Sequence, residues 1–108
     1  VFFNTRAFEL EVFANFPKED IRLVSLFYKT DTMPRYIEFP FNLKKKRFVF
    51  RYDPREKIAK KITYFFSVGL NNGALYATPV DSTGNLSPIT KYLLDPIEYF
   101  KKRASLRN

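Results

Sequence analysis

The side chains that most enzymes use for acid–base and nucleophilic chemistry are scarce in this chain. Its 108 residues contain no histidine and no cysteine. The absence of histidine removes the usual general base near neutral pH and the usual nitrogen ligand for zinc or copper. The absence of cysteine removes thiol nucleophiles, thiolate metal sites and disulfides. Carboxylates and lysines remain, and the sequence predicts a protein that is not an enzyme and that holds no cofactor and no metal.

Two carboxylates are close enough in sequence to act together. Glu9 and Glu11 alternate with apolar residues, so they share one face of a predicted strand. A solvent-exposed face is the favoured interpretation, because a calcium site needs about six to eight oxygen ligands. A calcium or catalytic carboxylate pair is the alternative. The segment Asp81–Asn85 has a weak resemblance to a calcium loop, but its residue types are those that turns require.

Most of the net charge of +8 is concentrated in one segment. Residues 44–61 contain nine lysines and arginines against Asp53 and Glu56, a net charge of +7. The segment begins with cations beside alternating aromatic residues: Lys44, Lys45, Lys46, Arg47, Phe48, Val49, Phe50, Arg51 and Tyr52. Single-stranded nucleic-acid sites combine cations for phosphates with rings for bases. The glycines of the RNA-recognition signature are absent.

A structural interpretation of the same segment competes with the nucleic-acid one. The three rings would point into the core, and the three lysines would form a solvated hairpin tip that guards against edge aggregation. The cations predicted to contact a partner are Lys44, Lys45, Lys46, Arg47 and Arg51. The partner would be a neighbouring domain or another protein. An acidic domain, anionic lipid headgroups, acidic polysaccharide and nucleic acid all match this charge.

Four tyrosines suggest a further kind of site. Exposed rings at Tyr28, Tyr36, Tyr76 and Tyr92 could form a platform on which sugars stack. Carbohydrate-binding sandwiches generally use tryptophan, which this chain lacks. Strand alternation would also bury several of the four rings.

The elements that must position these residues are mostly strands. Short alternating apolar segments bounded by turn residues predict six or seven strands in one domain. Asn72-Gly73 separates the aromatic run that starts at Ile62 from a second apolar run that ends at Pro79. This step predicts a two-residue β-hairpin with a type I′ turn. The prediction is therefore an antiparallel all-β domain over residues 1–94.

The last segment, residues 95–108, differs in kind from the rest. Asp95 as N-cap, Pro96 at the first helical position and Glu98 two residues later predict a helix from about 96 to 104. We expect this helix to dock through Ile97 and Phe100 or to lead into a following domain. The absence of a leader sequence before Val1 favours a mature chain or an excised domain of a longer protein.

The order of strands and turns resembles that of fibronectin type III and immunoglobulin-like modules of bacterial envelope and secreted proteins. The resemblance rests on the segments Ile21–Tyr28, Arg35–Pro40, Phe48–Tyr52, Ile62–Val68 and Gly73–Pro79. The run I-T-Y-F-F-S-V is similar to the penultimate strand of such modules. The buried tryptophan and the cysteine pair common in these families are missing. The resemblance covers roughly residues 7–80 and implies a two-sheet immunoglobulin-like sandwich of about seven strands.

What the resemblance implies about function is a non-catalytic interaction or spacer module within a larger envelope or secreted protein. The implied location is periplasmic or extracellular, although the lack of cysteine equally suits the cytosol. An OB-like β-barrel that binds single-stranded nucleic acid is the first alternative, and a carbohydrate-binding module is the second. No run is apolar and long enough to predict a transmembrane segment. The oligomeric state stays open.

Overall fold

The computed structural model describes residues 1–106, which form a mostly β domain with a short C-terminal helix. The strands are β1 (Phe2–Phe3), β2 (Phe8–Val12), β3 (Ile21–Thr30), β4 (Ile37–Pro40), β5 (Phe48–Tyr52), β6 (Lys61–Leu70), β7 (Leu75–Thr78) and β8 (Ile89–Leu94). The helix α1 spans Pro96–Ser105, and a single 3-10 turn spans Lys18–Asp20. The last two residues of the predicted segment 95–108 lie outside the described residues.

The larger sheet is built around β3 and β6, which pair antiparallel along most of their length. β4 pairs with the other edge of β3. The free edge of β6 is shared: β7 pairs with residues 66–69 and β8 with residues 61–64, both antiparallel. The chain leaves this edge between them, over residues 79–88. β1 runs parallel to β8, so the sheet is mixed rather than purely antiparallel.

The smaller sheet contains only β2 and β5, paired antiparallel from Phe8 opposite Tyr52 to Val12 opposite Phe48. Its inner face packs on the larger sheet. Leu10 and Tyr52 are buried there, and the ring of Phe50 lies 5.0 Å from that of Tyr28 on β3. The predicted alternation of both strands is confirmed, with the aromatic rings of β5 turned toward the core.

The core lies between the two sheets. The inner face of the larger sheet contributes Val24, Leu26 and Ile62, which are completely buried. Aromatic rings supply much of the remaining packing in the core. The chain has thirteen Phe and seven Tyr but no Trp. The prediction of a mostly β, two-sheet domain is therefore confirmed. The two sheets do not close on each other into a barrel.

The hairpin between β6 and β7 forms, but with a different turn from the predicted one. The amide of Gly73 donates to the carbonyl of Leu70 (3.0 Å), and the amide of Leu70 donates to the carbonyl of Ala74 (2.9 Å). Gly73 has a φ of +88°, whereas no residue other than glycine has a positive φ among those described. A type I′ turn needs two positive φ values, so the loop is instead a three-residue turn with glycine at the left-handed position.

The helix α1 begins where the sequence predicts. The carboxylate of Asp95 accepts a hydrogen bond from the amide of Ile97 (2.9 Å), and Pro96 occupies the first turn. Docking through Ile97 is not observed, because that side chain is largely exposed. The helix instead meets the domain through Phe3, whose ring lies 5.6 Å from Tyr99 and 6.0 Å from Phe100. Within residues 1–106, no helix has the length and apolar character needed to cross a membrane.

Candidate partner-binding site

Strand pairing gathers three connections at one end of the domain. The β2–β3 connection (residues 13–20), the β4–β5 connection (41–47) and the β6–β7 turn (71–74) all leave the sheets on the same side. We call this side the loop end. Two hydrogen bonds from Asn71, to the carbonyls of Glu19 and Asp20, join two of the connections. The helix α1 and the connection of residues 53–60 lie at the opposite end.

The three predicted lysines lie in the middle of the β4–β5 connection at the loop end. The segment is held by a local turn, in which Asn42 accepts hydrogen bonds from the amides of Lys44 and Lys45 (3.0 and 3.1 Å). Lys44, Lys45 and Lys46 are all exposed. Within the described part of the chain, none of their side chains forms a salt bridge. These are cations available to a partner.

Arg47 is placed differently, because its guanidinium is already paired within the domain. Nε and Nη2 donate to the two carboxylate oxygens of Glu11 at 3.0 and 2.8 Å, a bidentate contact across the small sheet. Glu9 lies 3.9 Å away. These hydrogen bonds from Arg47 lower the pKa of Glu11 and raise the pKa of Arg47 itself. Arg47 is therefore mainly a structural cation.

Arg51 faces the solvent on the same outer surface of the small sheet, directly opposite Glu9. Its guanidinium lies 4.0 Å from Asp53, a carboxylate that is already bound more closely by Arg55 at 2.8 Å. Hydrogen bonds from the side chain and backbone of Arg55 lower the pKa of Asp53 to about 2. Arg51 is thus weakly paired, and it lies closer to the middle of the small sheet than to the loop end.

A groove of about 260 Å³ adjoins the lysines at the loop end. Residues of β2, its continuation and the start of β5 line it, among them Glu11, Phe13, Asn15, Lys46 and Arg47. Phe13 stands at its rim with 79% of its surface exposed. The groove therefore combines the exposed ring of Phe13 with an unpaired cation, Lys46, and a paired one, Arg47.

Phe13 was not among the predicted site residues. It follows Val12 directly and has the same parity as Glu9 and Glu11, which occupy the outer face of β2. The alternation that places the two carboxylates in solvent therefore predicts an exposed Phe13 as well. The signal was present in the sequence, at the end of the strand.

The three aromatic rings of the basic segment itself do not share the surface of its cations. Phe48 and Phe50 are half-buried and Tyr52 is buried, all on the inner face of β5. Phe48 lies 5.9 Å from the ring of Phe41, which is itself part of the core. The three rings therefore point toward the core, as the structural interpretation of this segment predicts.

The two carboxylate candidates take part in ordinary structural contacts. Glu9 and Glu11 share an exposed face as predicted, but Arg47 occupies the Glu11 carboxylate. Asp81 accepts hydrogen bonds from the amides of Thr83 and Asn85, with Gly84 at a φ of +84°, which is a turn. In residues 1–106, no group of three or more acidic side chains is arranged to hold a metal ion.

The four tyrosines do not form one platform. Tyr28 is buried against Phe50 on the inner side of the larger sheet. Tyr76 is also on that side and packs 5.1 Å from Phe16. Tyr36 contacts Phe65 on the outer side of the sheet. Tyr92 lies opposite Lys61 and is exposed. The sheet thus separates the predicted rings into two groups.

Comparison with known proteins yields no relative for this chain. No protein-family model, no curated protein and no solved structure matches it.

Proposed function

We propose that this chain is a non-catalytic, immunoglobulin-like or fibronectin type III-like sandwich that binds an acidic partner through the lysines of its loop end. It would serve within a larger envelope or secreted protein, and a periplasmic or extracellular location follows from that resemblance alone. The observation that carries the proposal is the group of three exposed lysines that form no salt bridge within residues 1–106, one of which, Lys46, lines a groove with the exposed ring of Phe13.

The pairing of strands supports the fold part of the proposal. In immunoglobulin-like sandwiches the second strand pairs with the fifth in one sheet, while the third, sixth and seventh form the other. Here β2 pairs with β5, β3 pairs with β6, and β6 pairs with β7. β4 extends the larger sheet beside β3, as an added strand does in the variable type.

The position of the lysines supports the interaction part. Antibody variable domains recognise their targets with loops gathered at one end of the sandwich. In this chain the connections of residues 13–20, 41–47 and 71–74 are gathered in the same manner, and the free cations lie in the second of them. Unpaired cations at an exposed end steer an acidic partner toward it and raise the association rate.

The composition supports a non-catalytic role. Histidine, the usual general base near neutral pH, and cysteine, the thiol nucleophile, are absent from the sequence. The arginines that accompany the lysines are paired with carboxylates, which describes a structural surface rather than a reacting centre.

A charge-reversal experiment tests the proposal. The variant K44E/K45E/K46E is compared with K101E/K102E/R103E, which changes the same number of cations at the opposite end of the domain. Binding to a fluorescent poly-glutamate peptide is measured by anisotropy at low and at moderate salt. We expect the loop-end variant to lose about tenfold or more of its affinity, and the helix variant to retain affinity within about twofold.

Three further probes separate the partner classes. Oligo(dT), vesicles with anionic lipid and an acidic polysaccharide are titrated under the same conditions. The proposal predicts the tightest binding for the acidic polypeptide. Tighter binding to oligo(dT), with a steep dependence on salt, would instead favour the nucleic-acid alternative. Equal losses in both reversed variants would contradict a specific site at residues 44–46.

A further inference from the structure

The domain has one open side, between β4 and β5. Among residues 1–106, β5 pairs with β2 through one edge and has no strand on the other, and β4 likewise pairs only with β3. The backbone groups of alternate residues on such an edge point outward and lack a strand partner. The two free edges flank the same side of the sandwich, because Phe39 of β4 contacts Phe50 of β5 at 5.0 Å.

Apolar side chains of the core are exposed along this side. Ile37 and Phe39 lie opposite Tyr28 and Leu26 in the register of β3 and β4, so they belong to the inner face of the larger sheet. They are nevertheless 47% and 40% exposed. The small sheet ends at β5 and does not extend far enough to cover them.

The other side of the sandwich is closed by the chain itself. Beyond the free edge of β2, the ring of Phe2 stacks on that of Phe8 with centroids 4.2 Å apart and planes 13° apart. Phe2 belongs to β1, which pairs with β8 of the larger sheet. The difference between the two sides indicates that the β5 edge is the one available for another strand.

We infer that the β5 edge binds an extended acidic segment of the partner by strand addition, with apolar residues of that segment covering Ile37 and Phe39. The inference rests on the proposed function and names the form of the acidic partner. Strand addition takes its affinity from backbone hydrogen bonds and its specificity from alternate side chains. The β5 edge supplies both, with Phe48 and Phe50 on its inner face and Arg51 on its outer face.

The existing partner of β5 indicates the sequence that complements it. β2 reads F-E-L-E-V, with apolar residues inward and Glu9 and Glu11 outward. Glu9 stands opposite Arg51, and Glu11 is bound by Arg47. A strand on the free edge would meet the weakly paired Arg51 on its outer face, and the exposed Lys46 adjoins the end of that edge, whereas Arg47 stays bound to Glu11. An alternation of apolar and acidic residues is therefore the matching pattern.

A second copy of the domain is a poor occupant of the same edge. An antiparallel pairing of two β5 strands centred on Val49 would place Arg47 of each copy opposite Arg51 of the other. Like charges directly opposite each other destabilise a strand pair. In that register the arginines oppose self-association, whereas an acidic strand would meet them with opposite charge.

The test uses a fluorescent peptide with the sequence of residues 7–14, A-F-E-L-E-V-F-A. Its binding to the intact chain is measured by anisotropy, alongside a peptide in which both glutamates are replaced by lysine. We expect the lysine peptide to bind about tenfold more weakly or worse, because it sets like charges against Arg51 and Lys46. Equal affinity of the two peptides would overturn the inference.

Backbone methylation of the peptide tests strand addition without altering the protein. One peptide is N-methylated at Phe8, Leu10 and Val12, and the other at Glu9 and Glu11. Only alternate amides of an added strand face the neighbouring edge, so one peptide should lose binding and the other should retain most of it. Similar affinities for the two methylated peptides would overturn strand addition.

Amide hydrogen exchange locates the binding. The β5 amides that do not donate to β2 should become protected when the peptide binds. Loss of protection in β2 would mean that the peptide replaces the strand, and would overturn the inference.

On the protein side, I37K should weaken binding by several fold, whereas I58K, at an exposed position near the opposite end, should not.

The two proposals fail separately in these experiments. If K44E/K45E/K46E leaves poly-glutamate binding intact, the proposed function is wrong whatever the peptide does. If that variant loses binding but both methylated peptides bind alike, the loop end is supported and strand addition is wrong.

Discussion

Arg47 joins the two strands of the small sheet by holding the carboxylate of Glu11 through two hydrogen bonds of 3.0 and 2.8 Å. Lys44, three residues earlier, carries the same charge and makes no ion pair within residues 1–106. Within one basic segment, Arg47 is therefore a structural cation and Lys44 is a free one.

Replacing each of these cations by glutamine should give different stabilities. We expect R47Q to lower the urea midpoint at low salt, since it leaves Glu11 unpaired, and the loss should shrink as salt screens the pair. K44Q should leave the midpoint unchanged. Equal midpoints for the two variants would contradict the structural role of Arg47.

Stability should hardly change between about pH 5.5 and 7.5, because no histidine titrates there. Asp53 has its pKa lowered to about 2 by the side chain of Arg55. A carboxylate whose pKa is lower in the folded state stabilises the fold above its unfolded pKa, and that contribution is lost as the pH falls below about 4. The hydrogen bond from Arg47 lowers the pKa of Glu11 in the same direction.

Thermal melts from pH 2 to 8 measure this profile, with D53N as the comparison. The variant should be less stable at pH 7 and should lose less stability on acidification. At the alkaline end, burial raises the pKa of Tyr52 and of Tyr64. The stability that these two neutral tyrosines contribute to the folded state should be lost as the pH rises above about 10. A sharp transition between pH 5.5 and 7.5 would contradict the assignment of the titrating groups.

Truncation of the core should cost far more stability than truncation of a surface residue with similar chemistry. Leu26 is completely buried, whereas Ile58 is largely exposed. We expect L26A to lower the free energy of unfolding by about 2–5 kcal/mol and I58A by less than about 0.5 kcal/mol. Urea titration measures both. A small decrease in the free energy of unfolding of L26A would contradict the position of Leu26 in the core.

The β6–β7 turn should depend on glycine at position 73 alone. Gly73 has a φ of +88°, so G73A should cost about 1–2 kcal/mol through backbone strain. Gly69 is the control, because an added Cβ would lie 3.4 Å from Nη2 of Arg22 and 3.6 Å from Cβ of Leu23. G69A should therefore be neutral or stabilise by up to about 1 kcal/mol. The reverse order would contradict the turn geometry.

Removing the cap of α1 should affect the helix and not the domain. D95A deletes the hydrogen bond to the amide of Ile97 and should destabilise the helix by about 1 kcal/mol. No residue of the helix is buried, so the unfolding midpoint of the domain should stay the same. Hydrogen exchange in α1 and a thermal melt separate the two effects. A large fall in the melting temperature would mean that the helix supports the core.

Local structure was largely predictable from the sequence, and the site only in part. Alternation assigned the faces of β2 and β5, and with them the outward carboxylates. It did not show that Arg47 is paired while Lys44 is free, because that depends on the register that sets β5 against β2. The type I′ prediction at Asn72-Gly73 was wrong for a related reason. Residue types permit several turns, and the pairing of Leu70 with Ala74 selects one of them.

The sequence by itself determined a single β-rich domain with a capped C-terminal helix, no histidine or cysteine chemistry, and one strongly basic segment. These properties depend on composition and on periodicities of a few residues, which are local. Only the tertiary structure decided which strands share a sheet, which arginines are neutralised and which side of the two-sheet domain stays open. Those outcomes depend on contacts between residues far apart in the chain, such as Glu11 with Arg47 and Phe39 with Phe50, which no local pattern specifies.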